Sequence, residues 1–185
     1  QDVGRWIQEG HTHLRLAVNL SPTQVEHPRF VETLMQQVKA HNFPAGNLEI
    51  EITENVIMND LEQISQKLRE LASLGVRIAI DDFGTGYSSL NYIHRLPIHT
   101  LKVDQSFVKA IRRGEDGACI VNAIVAMAHG LKLEIVAEGV ETDEQLDYLR
   151  SLGCHQVQGF FYGPARPAAE ISRTLGSTRA KAASF

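Results

Sequence analysis

Short apolar segments alternate with longer amphipathic ones along the whole chain. The short segments predict strands at Leu14–Asn19, Leu48–Thr53, Val76–Asp82, Thr100–Asp104, Leu133–Ala137 and His155–Gly159. Several of them are apolar at almost every position, which is typical of strands that are buried on both faces of a parallel sheet. Strands that alternate with helices in this way predict an α/β domain, with either a doubly wound sheet or a barrel.

Apolar residues at helical spacing predict the helices between these strands. They form three stripes, which are Val31, Leu34, Met35 and Val38; Leu61, Ile64, Leu68 and Leu71; and Ile120, Ile124, Ala128 and Leu131. Two pairs, Ser21 with Gln24 and Thr142 with Gln145, have the spacing of a capping box, which marks the start of a helix. Gly75 is expected to end a helix in the left-handed conformation, directly before a strand.

Composition and charge narrow the class of protein. The chain has 185 residues, 43% of them hydrophobic, which suits one globular domain with its own core. We expect that domain to occupy residues 1–175, followed by a flexible tail over 176–185. The net charge of −4 argues against DNA binding. The two cysteines lack disulfide or zinc spacing, and no stretch is long and apolar enough to be a membrane segment, so we expect a cytoplasmic domain.

Polar side chains gather where the predicted strands end. The set comprises Asn19, Glu51, Glu54, Asp81, Asp82, Lys102, Glu138, Glu141 and Gln158. In a parallel α/β domain these positions all lie at the carboxyl end of the sheet, where active sites are built. Each residue alone would suit a helix cap or a surface position. Their recurrence at nearly every strand end favours a functional site.

The acidic members of this set predict a site for divalent metal ions. Carboxylates that converge away from water repel one another unless a cation lies between them. Oxygen ligands without cysteine or histidine favour Mg²⁺ or Mn²⁺ over zinc. The adjacent Asp81 and Asp82 can bridge two ions, and two ions stabilise the attacking and leaving oxygens of a phosphodiester displacement. Lys102 is then expected to orient the attacking water or to steady charge on a phosphate oxygen.

The segments that carry these residues resemble a known family. The strings Val18-Asn19-Leu20-Ser21, Glu51-Ile52-Thr53-Glu54, Asp81–Leu90, Leu101-Lys102-Val103-Asp104, Val136–Glu141 and Gln158-Gly159-Phe160 are similar, in this order, to the signatures of EAL domains. The resemblance implies a TIM-barrel-like fold that hydrolyses cyclic-di-GMP (c-di-GMP) to linear pGpG with two Mg²⁺ or Mn²⁺ ions, in bacterial second-messenger signalling. It also implies a homodimer, with sensory or cyclase domains, or a membrane anchor, possible elsewhere in the parent protein.

The resemblance assigns roles residue by residue. The implied metal ligands are Asn19, Glu51, Asp81, Asp82 and Glu138. The implied catalytic set is Lys102, which would contact the attacking water, with Glu138, Gln158 and Glu54. The implied nucleotide contacts are Asn19, Asp104, Gln158 and Pro164. Glu141 would support the ligands, and Glu54 would brace the loop 82–89, whose implied functional residues are Phe83, Gly84, Thr85, Gly86 and Ser88.

One departure from the family pattern changes what the resemblance implies. The Glu-Ala-Leu signature, whose glutamate is a metal ligand in the family, does not occur in the sequence. We expect it to lie upstream of Gln1, together with the first two strands, so the expected barrel has about six of its eight strands. Two hypotheses follow. The chain is a c-di-GMP phosphodiesterase domain, or it is a domain that binds c-di-GMP or a partner protein without catalysis.

Overall fold

A parallel sheet of six strands organises the chain. The computed structural model describes residues 1–85, 93–111 and 117–182. The described strands are β1 (Leu16–Asn19), β2 (Leu48–Thr53), β3 (Arg77–Phe83), β4 (Thr100–Val103), β5 (Glu134–Ala137) and β6 (Gln156–Val157). They pair in chain order, each parallel to its neighbour. This order lacks the reversal of a doubly wound sheet, so the TIM-barrel-like fold is confirmed, as an incomplete barrel.

Helices connect the strands and cover the outer face of the sheet. The described α-helices are α1 (Asp2–Gln8), α2 (Pro22–Glu26), α3 (Phe30–Ala40), α4 (Glu54–Asn59), α5 (Leu61–Ser73), α6 (Gln105–Ile111), α7 (Gly117–Gly130), α8 (Asp143–Ser151) and α9 (Ala168–Ala182), with 3₁₀ turns at Ala45–Asn47 and Phe160–Tyr162. Helix α9 continues past residue 175, and the division of the chain at that residue stays a prediction. None of the described helices is long and apolar enough to cross a membrane.

The local signals that start and end helices behave as predicted. Ser21 with Gln24 caps α2, and Thr142 with Gln145 caps α8, each pair forming both hydrogen bonds of the capping box. Gly75 has a φ of +90°, which lets the chain turn from α5 into β3 without the steric cost that a side chain would bring.

The core lies between the outer face of the sheet and these helices. Ile50, Ile52, Ile78 and Ile80 on β2 and β3 are fully buried. On α5 the predicted stripe is confirmed at Ile64, Leu68 and Leu71, all buried.

The stripe predicted for α7 was wrong at its ends, because Ile120 is 40% exposed and Leu131 is 37% exposed. Val121 and Val125 are buried in their place. This helix is apolar on most of its surface, so spacing alone does not select the buried face.

The inner face of the sheet is charged. Alternation places Glu49 on the same face of β2 as Glu51. Near the amino ends of the strands, Glu134 accepts hydrogen bonds from Arg15 at 2.6 Å and pairs with Arg77 at 2.9 Å. Glu49 pairs with Arg77 at 3.3 Å and accepts a hydrogen bond from Thr100 at 2.7 Å. The sequence alone does not reveal this balanced network, because its pairings depend on how the strands are registered against one another.

Candidate metal centre

Strand register brings the predicted site residues to the carboxyl end of the inner face. Asn19 lies opposite Glu51 in the pairing of β1 with β2. Asp81 lies opposite Thr53, one pair further along the sheet. Lys102 lies on β4, and Glu138 follows β5 directly. Five neighbouring strands therefore bring their carboxyl ends to one place, as the positions of polar residues at strand ends predicted.

Lys102 is the centre of this arrangement. Its Nζ lies 2.7 Å from Asp81 Oδ1, 2.8 Å from Glu138 Oε1 and 3.0 Å from Glu51 Oε2. The lysine side chain is only 7% exposed. One ammonium group therefore contacts three carboxylates, which come from β2, from β3 and from the residue directly after β5.

Burial and the shared ammonium shift the pKa values of this cluster. Burial alone would lower the pKa of Lys102, but its hydrogen bonds with Asp81, Glu138 and Glu51 outweigh that effect and hold it well above its ordinary value. Burial raises the pKa of Glu51 and of Glu138, and the neighbouring charge of Asp81 adds to both shifts. The charge and hydrogen bonds of Lys102 lower the pKa values of Glu51 and Glu138, but they do not cancel the effect of burial, because three carboxylates share one ammonium charge.

Three carboxylates offer a place for a metal ion. One oxygen each from Asp81, Asp82 and Glu138 lie within 4.8 Å of one another. Asp82 has a φ of +51°, an uncommon conformation for a residue with a side chain. Such strain is found where a site requires a particular side-chain direction. An all-oxygen donor set of this kind fits Mg²⁺ or Mn²⁺, with Glu51 and Asn19 beside it as further oxygen donors.

Asp82 also interacts with Asp104 at the end of β4. Burial raises the pKa of Asp82, and the charges of Asp81 and Asp104 and a hydrogen bond with Asp104 raise it further. Burial opposes the ionisation of Asp104, but hydrogen bonds from the Ser106 hydroxyl and backbone N–H outweigh it, so the pKa of Asp104 is lowered. Of these two carboxyl groups, that of Asp82 therefore takes up a proton more readily than that of Asp104.

Glu54 braces the start of the loop after β3. Its Oε1 accepts a hydrogen bond from the backbone N–H of Gly84 at 3.3 Å. Gly84 has a φ of +97°, and an added Cβ would lie 2.8 Å from the ring of Phe107. Phe83 is buried, and the Thr85 hydroxyl donates to the carbonyl oxygen of Asp82 at 2.9 Å. Gly86 and Ser88 lie outside the described residues.

A cavity of about 460 Å³ adjoins the carboxylates on the side of β5 and β6. It brings together Glu138, Glu141, Gln158 and Pro164, all named from the sequence. Asn19 and Asp104 do not line it.

Phe160 also lines this cavity and is 72% exposed. Phe160 has no role among the residues named from the sequence. Its position at the start of a glycine-flanked turn, two residues after Gln158, is the signal that could have indicated one.

The fold and the acidic cluster define an incomplete barrel domain with a candidate metal site, and comparison with known proteins gives its family. The EAL domain family matches residues 1–165. The chain is 43% identical over 166 residues to the bifunctional diguanylate cyclase/cyclic di-GMP phosphodiesterase MucR of Pseudomonas aeruginosa, covering 90% of this chain and 24% of that protein. The chain therefore belongs to the EAL domain family, and it spans about a quarter of that curated relative.

Solved structures agree with this assignment. A PaMucR phosphodiesterase in complex with c-di-GMP superposes with a TM-score of 0.88 at 42% identity, covering 92% of this chain and 69% of that one. A manganese and c-di-GMP complex of Klebsiella pneumoniae BlrP1 superposes with a TM-score of 0.77 at 34% identity, covering 86% of this chain and 41% of that one. Metal and dinucleotide complexes thus occur among the structural relatives of this chain.

Proposed function

We propose that this chain is the catalytic part of a c-di-GMP phosphodiesterase, which hydrolyses one phosphodiester bond of c-di-GMP to give pGpG. The observation that carries the proposal is the position of Lys102 among Asp81, Glu138 and Glu51, of which Glu138 also lines a cavity of about 460 Å³. A cluster of acids and one buried lysine next to a ligand-sized cavity suits metal-assisted attack on a phosphate ester. The c-di-GMP complexes of related structures support the choice of ligand.

The residues that would hold the metal ions are those whose oxygens converge. Asp81, Asp82 and Glu138 form the closest group, and Glu51 and Asn19 extend it towards β1. Two divalent ions bound there would activate a water molecule and neutralise charge on the phosphate. Related complexes contain calcium or manganese, and we infer Mg²⁺ or Mn²⁺ as the active ions from the donor set.

The other side chains of the site have separate tasks. Lys102 donates its three N–H groups to three carboxylates, so it keeps a positive charge in the site and holds these oxygen donors in place. Gln158 lines the same cavity and can hydrogen-bond the attacking water or a phosphate oxygen. Phe160, with its exposed ring, offers a surface on which a guanine base can stack. Pro164 lies along the same wall.

Hydrolysis of c-di-GMP by the purified chain with Mn²⁺ tests the proposal. We expect pGpG to form, and Asp81→Asn to abolish its formation while the variant stays folded. Thermal stabilisation by Mn²⁺ and by c-di-GMP is measured in parallel, because a ligand of the folded state raises stability by mass action. Stabilisation by the dinucleotide without turnover would favour a binding domain, and stabilisation by neither would refute both nucleotide functions.

Two properties of the intact protein complete the proposal. We infer a cytoplasmic domain that acts as a homodimer. We also infer that it is part of a longer, multidomain protein, since its curated relatives are several times longer than this chain. Analytical ultracentrifugation of the chain, with and without Mn²⁺, tests the homodimer. A single monomeric species at concentrations well above those of the assay would contradict it.

A further inference from the structure

One buried amide joins two walls of the cavity. Gln145, in the first turn of α8, is 2% exposed. Its Oε1 accepts hydrogen bonds from the backbone N–H groups of Glu141 at 2.8 Å and Thr142 at 3.1 Å. Its Nε2 donates to the carbonyl oxygen of Val108 in α6 at 3.1 Å. A single side chain therefore connects the loop after β5 to the helix after β4.

Both connected segments carry part of the site. The loop 138–142 begins with Glu138 and contains Glu141, and both line the cavity. Helix α6 begins with Gln105, which also lines the cavity. The two walls meet where Gly139 packs on Gln105, because an added Cβ on the glycine would lie 2.6 Å from the Gln105 Cβ. The distance between the loop 138–142 and helix α6 is therefore fixed at two points. Gly139 packs on Gln105 at one of them, and Gln145 forms hydrogen bonds to both segments at the other.

Helix capping explains only part of what Gln145 does. In a capping box the third helical residue accepts the N–H of the cap residue, and glutamate does this as well as glutamine. Gln24 has this role at the start of α2 and is exposed. Gln145 has the same role at α8, but its amide nitrogen also reaches Val108. The donor half of the amide has no part in capping.

We propose that Gln145 is a positioning residue for the nucleotide, which holds α6 against the loop 138–142 and so fixes the width of the cavity. The inference rests on the proposed function, because c-di-GMP is the ligand whose fit it describes. Buried hydrogen bonds constrain geometry more strongly than exposed ones, since no water replaces a partner that moves away. Gln145 touches neither the metal-binding carboxylates nor the cavity, so it acts through the segments that it joins.

Gln145→Glu separates positioning from capping. The carboxylate still accepts from Glu141 and Thr142, but it cannot donate to the carbonyl oxygen of Val108. We expect the affinity for c-di-GMP, measured by calorimetry with Mn²⁺, to fall roughly five- to tenfold, the effect of about one hydrogen bond. The affinity for Mn²⁺ alone is expected to change less than about twofold. Gln24→Glu, the same substitution in the other capping box, is the control and is expected to change neither affinity.

Hydrogen exchange adds a measurement that does not depend on the nucleotide. In Gln145→Glu the amides of residues 105–111 are expected to exchange faster, and in Gln24→Glu they are not. Should the glutamate prevent folding, Gln145→Met, which keeps the volume and adds no charge, is compared with Gln24→Met instead.

The outcomes separate the two proposals. Failure of the wild-type chain to bind c-di-GMP would refute the proposed function and the nucleotide role of Gln145 with it, and would leave the exchange result to report on the link to α6. A wild-type chain that binds, with Gln145→Glu binding equally well, would overturn this inference alone. Equal losses of Mn²⁺ and nucleotide affinity would also overturn it, because they would show a general structural role.

Discussion

Replacing Lys102 with methionine removes the charge at the centre of the site while keeping most of the volume of the side chain. The three carboxylates that contact Nζ at 2.7 to 3.0 Å would then face one another without a counter-charge. Their side chains are only 8% to 17% exposed, so water compensates little of the lost attraction. Removing one partner of a buried ion pair typically costs about 3–5 kcal/mol.

The free energy needed to protonate one of the carboxylates has a similar magnitude. The carboxylates can avoid their repulsion if one of them takes up a proton in place of the lysine charge. For a glutamate with an ordinary pKa of 4.5, protonation at pH 7.5 costs about 1.4 kcal/mol for each of three pH units, or about 4 kcal/mol. At pH 5.5 the same protonation costs only about 1.4 kcal/mol. The cost of Lys102→Met should therefore be about 4 kcal/mol at pH 7.5 and less than half of that at pH 5.5.

The sign of this pH dependence follows from the direction of the pKa shifts. Burial raises the pKa of Glu51 and Glu138 in the folded state. A group with a raised pKa contributes stability that is present below its unfolded value and lost as the pH rises through its folded value. Without Lys102 the folded values rise further, so the deficit of the variant must grow from acid towards neutral pH.

Urea denaturation measures these free energies of unfolding. Trp6, the single tryptophan, is buried and donates to Ser172 Oγ at 2.9 Å, so its fluorescence reports the loss of packing between α1 and α9. Lys109→Met, at a side chain that is 51% exposed and 3.9 Å from Glu141, is the control and should cost less than about 0.5 kcal/mol. A Lys102→Met variant as stable as the wild type at pH 7.5, or one with the same deficit at both pH values, would refute the reasoning.

Three further predictions test other parts of the molecule. Gly139→Ala should lower the free energy of unfolding in urea by about 2–3 kcal/mol, because φ is +70° there and the added Cβ meets Gln105. The control Gly130→Ala, with nothing within 4 Å of the added Cβ, should change the free energy of unfolding by less than about 1 kcal/mol. The hydrogen bond with Arg15 lowers the pKa of Glu134, so the stability that the ionised carboxylate contributes is lost as the pH falls from the ordinary value of 4.5 through the lowered folded value. Acid denaturation followed by circular dichroism should accordingly be less steep in Glu134→Gln than in the wild type. Phe160→Ala should leave stability within about 0.5 kcal/mol of wild type but weaken c-di-GMP binding in calorimetry by about 1–3 kcal/mol, and unchanged binding would remove the stacking role.

Features that repeat along the chain could be predicted from sequence. Each strand boundary lies within two residues of its predicted position, because apolar runs bounded by polar residues recur six times. The convergence of the candidate site residues could be predicted for the same reason, since a parallel sheet places every strand end at one edge. The helix-start signals at Ser21 and Thr142 depend only on residues three apart, and both are confirmed.

Features that depend on register or on distant contacts could not be predicted in this way. Glu134 meets Arg15 across 119 residues of sequence, and Gln145 meets Val108 across 37. No periodicity links such residues, because their approach is decided by how the strands pair and how the helices pack. The three-way contact of Lys102 has the same origin. The sequence indicated a lysine near a phosphate, whereas its position among Asp81, Glu138 and Glu51 depends on three separate strands.

The charges on the inner face favour cations at one end of the barrel over the other. Near the amino ends of the strands, Arg15 and Arg77 balance Glu49 and Glu134, so this layer is neutral without any ligand. Near the carboxyl ends, Lys102 contacts Glu51, Asp81 and Glu138, with Asp82 and Asp104 beside them, so five acids surround one cation among the described residues. Divalent cations bound there would offset this excess of negative charge. The described part of the lumen therefore has a lower layer whose charges are paired by side chains and an upper layer whose excess of carboxylates favours cations.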